Sequence, residues 1–256
     1  MAESTTSHLQ QNKFNLKLIP AMLLHPGQVF SQIGTERKRA WMAPLLILSL
    51  TTVLALLING YFQSRSAMGA VPQLPPDWQY WSAEMQNDYM EAMQATQSPT
   101  IIYVIPVVFG LAKLWLGWVI VGGLLHLFST LLGGRETITD SLNIYAFSIL
   151  PFAIRDVLRI TFVLISQHQI QKAGLSGFVV GNDAGSLFWS QILSGLDLFL
   201  VWHAVLLIVG FHLFANLPHK KAVIVVFAML LISILAQAGI GAVSARVGAM
   251  LFPGSG

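Results

Sequence analysis

An all-helical membrane protein is the fold class this sequence predicts, with five transmembrane helices plus short interfacial helices. Three observations predict it. Apolar stretches at about 41–62, 101–132, 141–166, 187–217 and 222–249 each exceed the ~20 residues a helix needs to cross a ~30 Å hydrocarbon layer. Of 256 residues, 55% are hydrophobic and 10% charged, with mean hydropathy +0.67, against about 25% charge in a soluble domain. Finally, the basic residues fall on alternate sides of the stretches.

That alternation sets orientation. Lys13, Lys17, Arg37, Lys38, Arg39, Arg135, Lys220 and Lys221 share one side, and Arg65, Lys172 and Arg246 share the other. Basic loops stay cytoplasmic, so the amino terminus is expected inside and the carboxy terminus in the periplasmic or extracellular space. Trp41 and Tyr145 at inner ends, with Tyr61, Tyr103 and Trp189 at outer ends, agree as interfacial aromatics. Residues 1–40 read as a cytoplasmic tail and 41–250 as one membrane domain. The tail carries no apolar run of signal-peptide type.

Several function classes drop out. Cys is absent, which removes disulfides, thiolate metal sites and a thiol nucleophile. A net charge of +3 without a dense basic tract gives nucleic acid no footing. No Gly-rich phosphate loop and no H-E-x-x-H pattern occur, so neither cofactor nor metal is expected.

Along the chain, Phe14 to Leu24 is apolar, interspersed with Lys17 and broken by Pro20 and Pro26. It reads either as an interfacial helix on the cytoplasmic leaflet or as a connector resting on the bundle. In the long loop 63–100, Asp77 is the expected N-cap of a helix reaching about Gln94. Trp78, Trp81, Met85, Tyr89 and Met93 form its apolar stripe. Gly133-Gly134 should end the second span, with Thr139 or Asp140 capping the third. Loop 167–186 reads as a flexible outer loop, with a re-entrant segment as the alternative.

Five ionisable residues fall inside spans: Lys113, Arg155, Asp156, Arg159 and Asp197. Each costs about 2.5–3.5 kcal/mol at a helix centre on insertion scales, so they should face inward and pair. Matching their depths predicts an Asp197–Arg159 pair with Lys113 as rival partner, and Asp156 reaching Arg159 one turn away. Two readings stay open: an ion-pair network holding helices in register, or a polar pathway for an ion, a proton or a lipid headgroup. His126, His203 and His212 read as interior or interface histidines. Pro106, Gly110, Lys113 and Gly117 share one side of the second span. Gln237, Gly241, Ala245 and Ala249 recur every four residues as a helix-packing face, within the bundle or with a second copy.

The chain resembles the bacterial branch of the Yip1-domain family. The resemblance rests on Pro26 and Phe30, then the basic run and Trp41-Met42-Ala43-Pro44. It continues through Gly133-Gly134, Tyr145 and Leu150-Pro151, then Trp202, Gly210 and His219-Lys220-Lys221-Ala222. It covers about residues 18–250 and implies five helices with a cytoplasmic amino terminus. Eukaryotic relatives act in vesicle traffic with small GTPase partners, but their Asp-Leu-Tyr-Gly-Pro segment is missing, so that role does not transfer. No catalytic residues come with the resemblance.

The sequence therefore points to a non-enzymatic integral protein of the bacterial inner membrane. Its expected role is to scaffold or modulate a membrane complex such as a transporter or envelope machine, with the lipid bilayer and other membrane proteins as partners. The runner-up is a small transporter or lipid-handling protein using the buried charges, and an intramembrane enzyme comes third.

Overall fold

The computed structural model describes residues 18–36, 40–69, 74–75, 77–170, 172–181 and 184–251, with backbone alone at 32–36, 67–69, 184, 240 and 242–251. Lys13, Lys17 and the Arg37-Lys38-Arg39 run lie outside the described residues, as do the side chains of Ala245, Arg246 and Ala249. The α-helices are α1 (Leu18–Leu24), α2 (Pro26–Glu36), α3 (Met42–Gly69), α4 (Ala83–Thr96) and α5 (Ile105–Leu131), followed by α6 (Ile138–Ser148), α7 (Leu150–Ser166), α8 (Ala184–Ser194), α9 (Leu198–Phe214) and α10 (His219–Leu251). No strand occurs among the described residues.

Among the described residues three segments are long and apolar enough to cross a membrane: Met42–Ser66, Thr100–Leu131 and His219–Gly239. A fourth qualifies if Gly185–Ser194 and Leu198–Phe214, bent by 57°, count as one broken crossing. The surface of these helices inverts that of a soluble protein. Leu46, Leu50, Leu54 and Leu57 stand exposed along α3, and Ile224, Phe227, Leu231 and Leu235 along α10. Stripes this large and apolar need lipid against them.

The third and fourth spans, each expected as one crossing with Pro151 interrupting the third, are both split in two. At the third, α6 and α7 have 11 and 17 residues and meet at Ile149. Pro151 has no N–H and its ring crowds the preceding turn, so Phe152 N–H turns back to Ile149 O at 3.0 Å. The freed Ser148 carbonyl accepts from His203 Nδ1–H at 2.8 Å. At the fourth, Gly195 and Leu196 separate α8 from α9.

The principal core joins Leu125, Ile144, Phe147, Leu207, Phe211 and Val226. Met22, Val29 and Phe30 are buried in it too, so residues 18–36, assigned to the tail from sequence, pack into the bundle. Phe30 meets Phe214 edge to face at 5.9 Å. A second core gathers Leu45, Leu48, Trp118 and Ala153. Beside it Trp41 donates its N–H to Asn143 Oδ1 at 2.9 Å.

Turns tie each end of the bundle. At one end Arg135 N–H reaches Ala215 O at 3.2 Å and Lys221 Nζ reaches Leu132 O at 2.8 Å. At the other, Ser64 Oγ and Tyr103 Oη lie 3.2 Å apart, and Gln169 Nε2 donates to Asn59 O at 2.8 Å. Gly133, with φ +94°, ends α5 as expected. The expected caps shift. Thr137, not Thr139 or Asp140, caps α6, in a capping box with Asp140. Ser82, not Asp77, caps α4, because a 3-10 turn at Trp78–Tyr80 intervenes and Asp77 Oδ2 instead accepts from Trp81 Nε1–H at 2.9 Å. Loop 167–186 holds a second 3-10 turn, Gly174–Phe178, packed on α8.

Candidate functional site

Four of the five charges expected inside spans meet where α7 faces the α8–α9 break. Asp197 is the N-cap of α9, and its Oδ1 accepts from Leu200 N–H at 2.9 Å. Oδ2 lies 3.4 Å from Arg155 Nη1 and 3.8 Å from Arg159 Nη2. Arg155 Nε is also 3.8 Å from Asp156 Oδ1, and the guanidinium carbon sits 4.5 Å from the Phe152 ring centre. A carboxylate at a helix start satisfies backbone N–H groups that have no helical acceptor. One acid thus serves a cap and two cations together.

The expected Asp197–Arg159 pair is present at 3.8 Å, and the rest of the pairing differs from expectation. Arg155, not Arg159, makes the shorter contact to Asp197, and Asp156 is paired with its neighbour Arg155. Lys113 is exposed on α5 and forms no ion pair among the described residues. It does not belong to the cluster. Gly110, on the expected packing side of α5, does meet α3: a Cβ there would come within 2.6 Å of Leu56 Cδ1.

A cavity of about 160 Å³ opens beside the cluster between α3 and α7, with Asn59, Asp156 and Arg159 as its polar lining and Ile58, Ile160 and Val163 among its walls. The Asp156 side chain is 16% exposed and the Arg159 side chain 34%. Neither makes a hydrogen bond to a described residue, so the two charges on this cavity keep free acceptors and donors. Among the described residues no three His, Asp or Glu side chains gather into a metal-binding group.

A smaller cavity of about 100 Å³ is lined by Tyr145, His203, Ser233 and Gln237 among apolar neighbours. The Ser148 carbonyl accepts, so His203 carries a proton on Nδ1. On the expected packing face of α10, Gly241 lies against Gln191 of α8, where a Cβ would approach Gln191 Cδ to 3.1 Å.

Sequence reasoning missed Glu136, read only as a turn residue. Its side chain is fully buried, with Oε1 accepting from Ser141 Oγ at 3.3 Å and 3.6 Å from His126 Nδ1. Its Oε2, like Ser129 Oγ, is buried without a partner. The available signal was His126 and Ser129, one turn apart at the end of an otherwise apolar helix.

No curated protein and no solved structure matches the chain. A family model does: the Yip1 domain matches residues 21–240, from the edge of the buried Met22 to just beyond the buried Ala238. With its long apolar helices, this makes the chain a membrane protein that belongs to the Yip1-domain family.

Proposed function

We propose that this is a non-catalytic, five-crossing protein of the bacterial inner membrane, amino terminus cytoplasmic, that scaffolds or modulates a membrane complex such as a transporter or envelope machine. In this reading α6–α7 and α8–α9 are two interrupted crossings, and other membrane proteins are the partners. The observation that carries it is the unit 77–97. Trp78, Trp81 and Tyr89 knit it together at ring separations of 5.6–5.7 Å. It packs mainly against the turn at Thr100–Val104 and leaves Tyr80 and Met85 exposed. A self-supporting knob beside the bundle suits docking better than bundle stability. Cross-linking in native membranes tests this. A stoichiometric partner should be captured by the intact chain and lost when 77–97 is replaced by a Gly-Ser linker. Capture of nothing by the intact chain rejects the scaffold.

A second reading, a small transporter or lipid-handling protein, is favoured by one observation: Asp156 and Arg159 line a cavity with unspent hydrogen-bonding capacity. Reconstituted flux and lipid-transfer assays with the Asp156→Asn variant test it. A wild-type rate indistinguishable from that of protein-free vesicles, or an Asp156→Asn rate equal to wild type, rejects it.

A further inference from the structure

We infer that the cavity between α3 and α7 is a binding site for a zwitterionic phosphoethanolamine headgroup, with the lipid phosphate on Arg159 and the lipid ammonium on Asp156. This deepens the lipid-handling reading and rests on it. Four observations carry the inference.

The first is hydrogen bonding. Asp156 and Arg159 both line the cavity, and among the described residues their contacts are ion pairs of 3.8 Å without a hydrogen bond. Charged groups partly withdrawn from water without hydrogen-bond partners are costly, so such a pair suits a ligand that supplies both. A phosphate offers acceptors to the guanidinium, and a primary ammonium offers three donors to the carboxylate.

The second is charge. Arg155, Arg159, Asp156 and Asp197 sum to zero, so a net anion or net cation would leave an uncompensated charge in an apolar setting. A zwitterion leaves none. Asp156 and Arg159 also stand one helical turn apart on α7, the scale of the two-carbon linker between phosphate and ammonium.

The third is depth. Asn59 is 17 residues beyond Met42 on α3, about 26 Å along a helix rising 1.5 Å per residue. It lies two residues before Tyr61 and on the same end of the bundle as Tyr103, and its carbonyl accepts from Gln169 Nε2 at 2.8 Å. The cavity therefore opens at the headgroup level that interfacial aromatics mark and runs inward to Arg159, about 10 Å below the end of α7 at Ser166. The fourth is shape. Ile58, Ile160, Val163 and Ile170 line the cavity with apolar side chains, and about 160 Å³ accommodates a small headgroup.

Full-length protein in lipid-free detergent, titrated with phosphatidylethanolamine, phosphatidylcholine and phosphatidylglycerol of identical acyl chains, tests this by native mass spectrometry. One phosphatidylethanolamine should bind about tenfold more tightly than phosphatidylcholine, whose methylated ammonium donates no hydrogen bond. Asp156→Asn should erase that preference, and Ala173→Leu, which fills the cavity and leaves the charges alone, should weaken binding about as much. If Asp156→Asn does not fold, Ala173→Leu decides alone, and unchanged binding overturns the proposal. Preference for phosphatidylglycerol, lost only in Arg159→Gln, overturns the zwitterion while sparing lipid handling. Lipid binding indifferent to all three substitutions overturns both. Free phosphoethanolamine binding as tightly as the lipid overturns the membrane source.

Discussion

Arg155 Nη1 donates to Asp197 Oδ2 at 3.4 Å while Oδ1 of the same carboxylate takes the Leu200 N–H at 2.9 Å. The contact links α7 to the first turn of α9. It also explains how an acid persists in an apolar stretch. Both of its oxygens are engaged, one by a helix end and the other by guanidinium groups, which offsets part of the cost of leaving water.

Replacing Asp197 should therefore separate these two roles. Asp197→Asn keeps a capping oxygen but leaves Arg159 without an anion and Arg155 with Asp156 alone, at an expected cost of up to about 3 kcal/mol. Asp197→Ala should cost about 1 kcal/mol more through the lost cap. Unfolding in detergent measures both, and equal losses would deny the cap any contribution.

His203 should be replaceable by an amide but not by an apolar residue. Asn can place a donor near the position of Nδ1, whereas Leu leaves the buried Ser148 carbonyl unpaired, a penalty of about 1–3 kcal/mol. Thermal unfolding of His203→Asn and His203→Leu decides this. A Leu variant as stable as wild type would mean that the carbonyl finds another donor.

Gly174 should tolerate no side chain. Its φ is +55°, and a Cβ would lie 2.7–2.9 Å from the carbonyl oxygens of Leu193, Ser194 and Leu196. Backbone must move to admit it. Gly174→Ala is expected to cost about 1–3 kcal/mol and to speed proteolysis between α7 and α8. Wild-type protection would show that the 3-10 turn shifts at little cost.

Sidedness can be read directly because the chain has no Cys. Glu84→Cys and Lys220→Cys, both at exposed positions, should react with a membrane-impermeant maleimide from opposite faces of sealed vesicles. Reaction from the same face would remove the odd number of crossings.

Much of this fold was legible in the sequence because apolar length is a local property. The stretches containing α3, α5 and α10 announce themselves, and Gly133 marks the end of α5. The interruptions were only half legible. Pro151 was visible as a break because its chemistry is intrinsic, whereas the break at Gly195 and Leu196 lies in an unremarkable apolar run. It becomes intelligible only once Asp197 is seen as a cap facing two arginines on another helix. Lys113 misled for the complementary reason: depth can be counted along a helix, but the direction a side chain faces depends on which neighbours pack against it. Glu136 escaped because burial of a turn residue is decided by the helix folded over it.

The interval between the pair has a bearing on how the protein is made. Arg155 precedes Asp197 by 42 residues, so a ribosome adding 5–20 residues per second exposes the cations about 2–8 s before their acid. During that time α7 carries Arg155 and Arg159 against Asp156 alone, and the insertion machinery must shelter the unmatched guanidinium or hold it at the water boundary. Its commitment to the bilayer then waits on synthesis of the α8–α9 junction, and a chain truncated before residue 197 would present quality-control proteases with a stranded, positively charged helix.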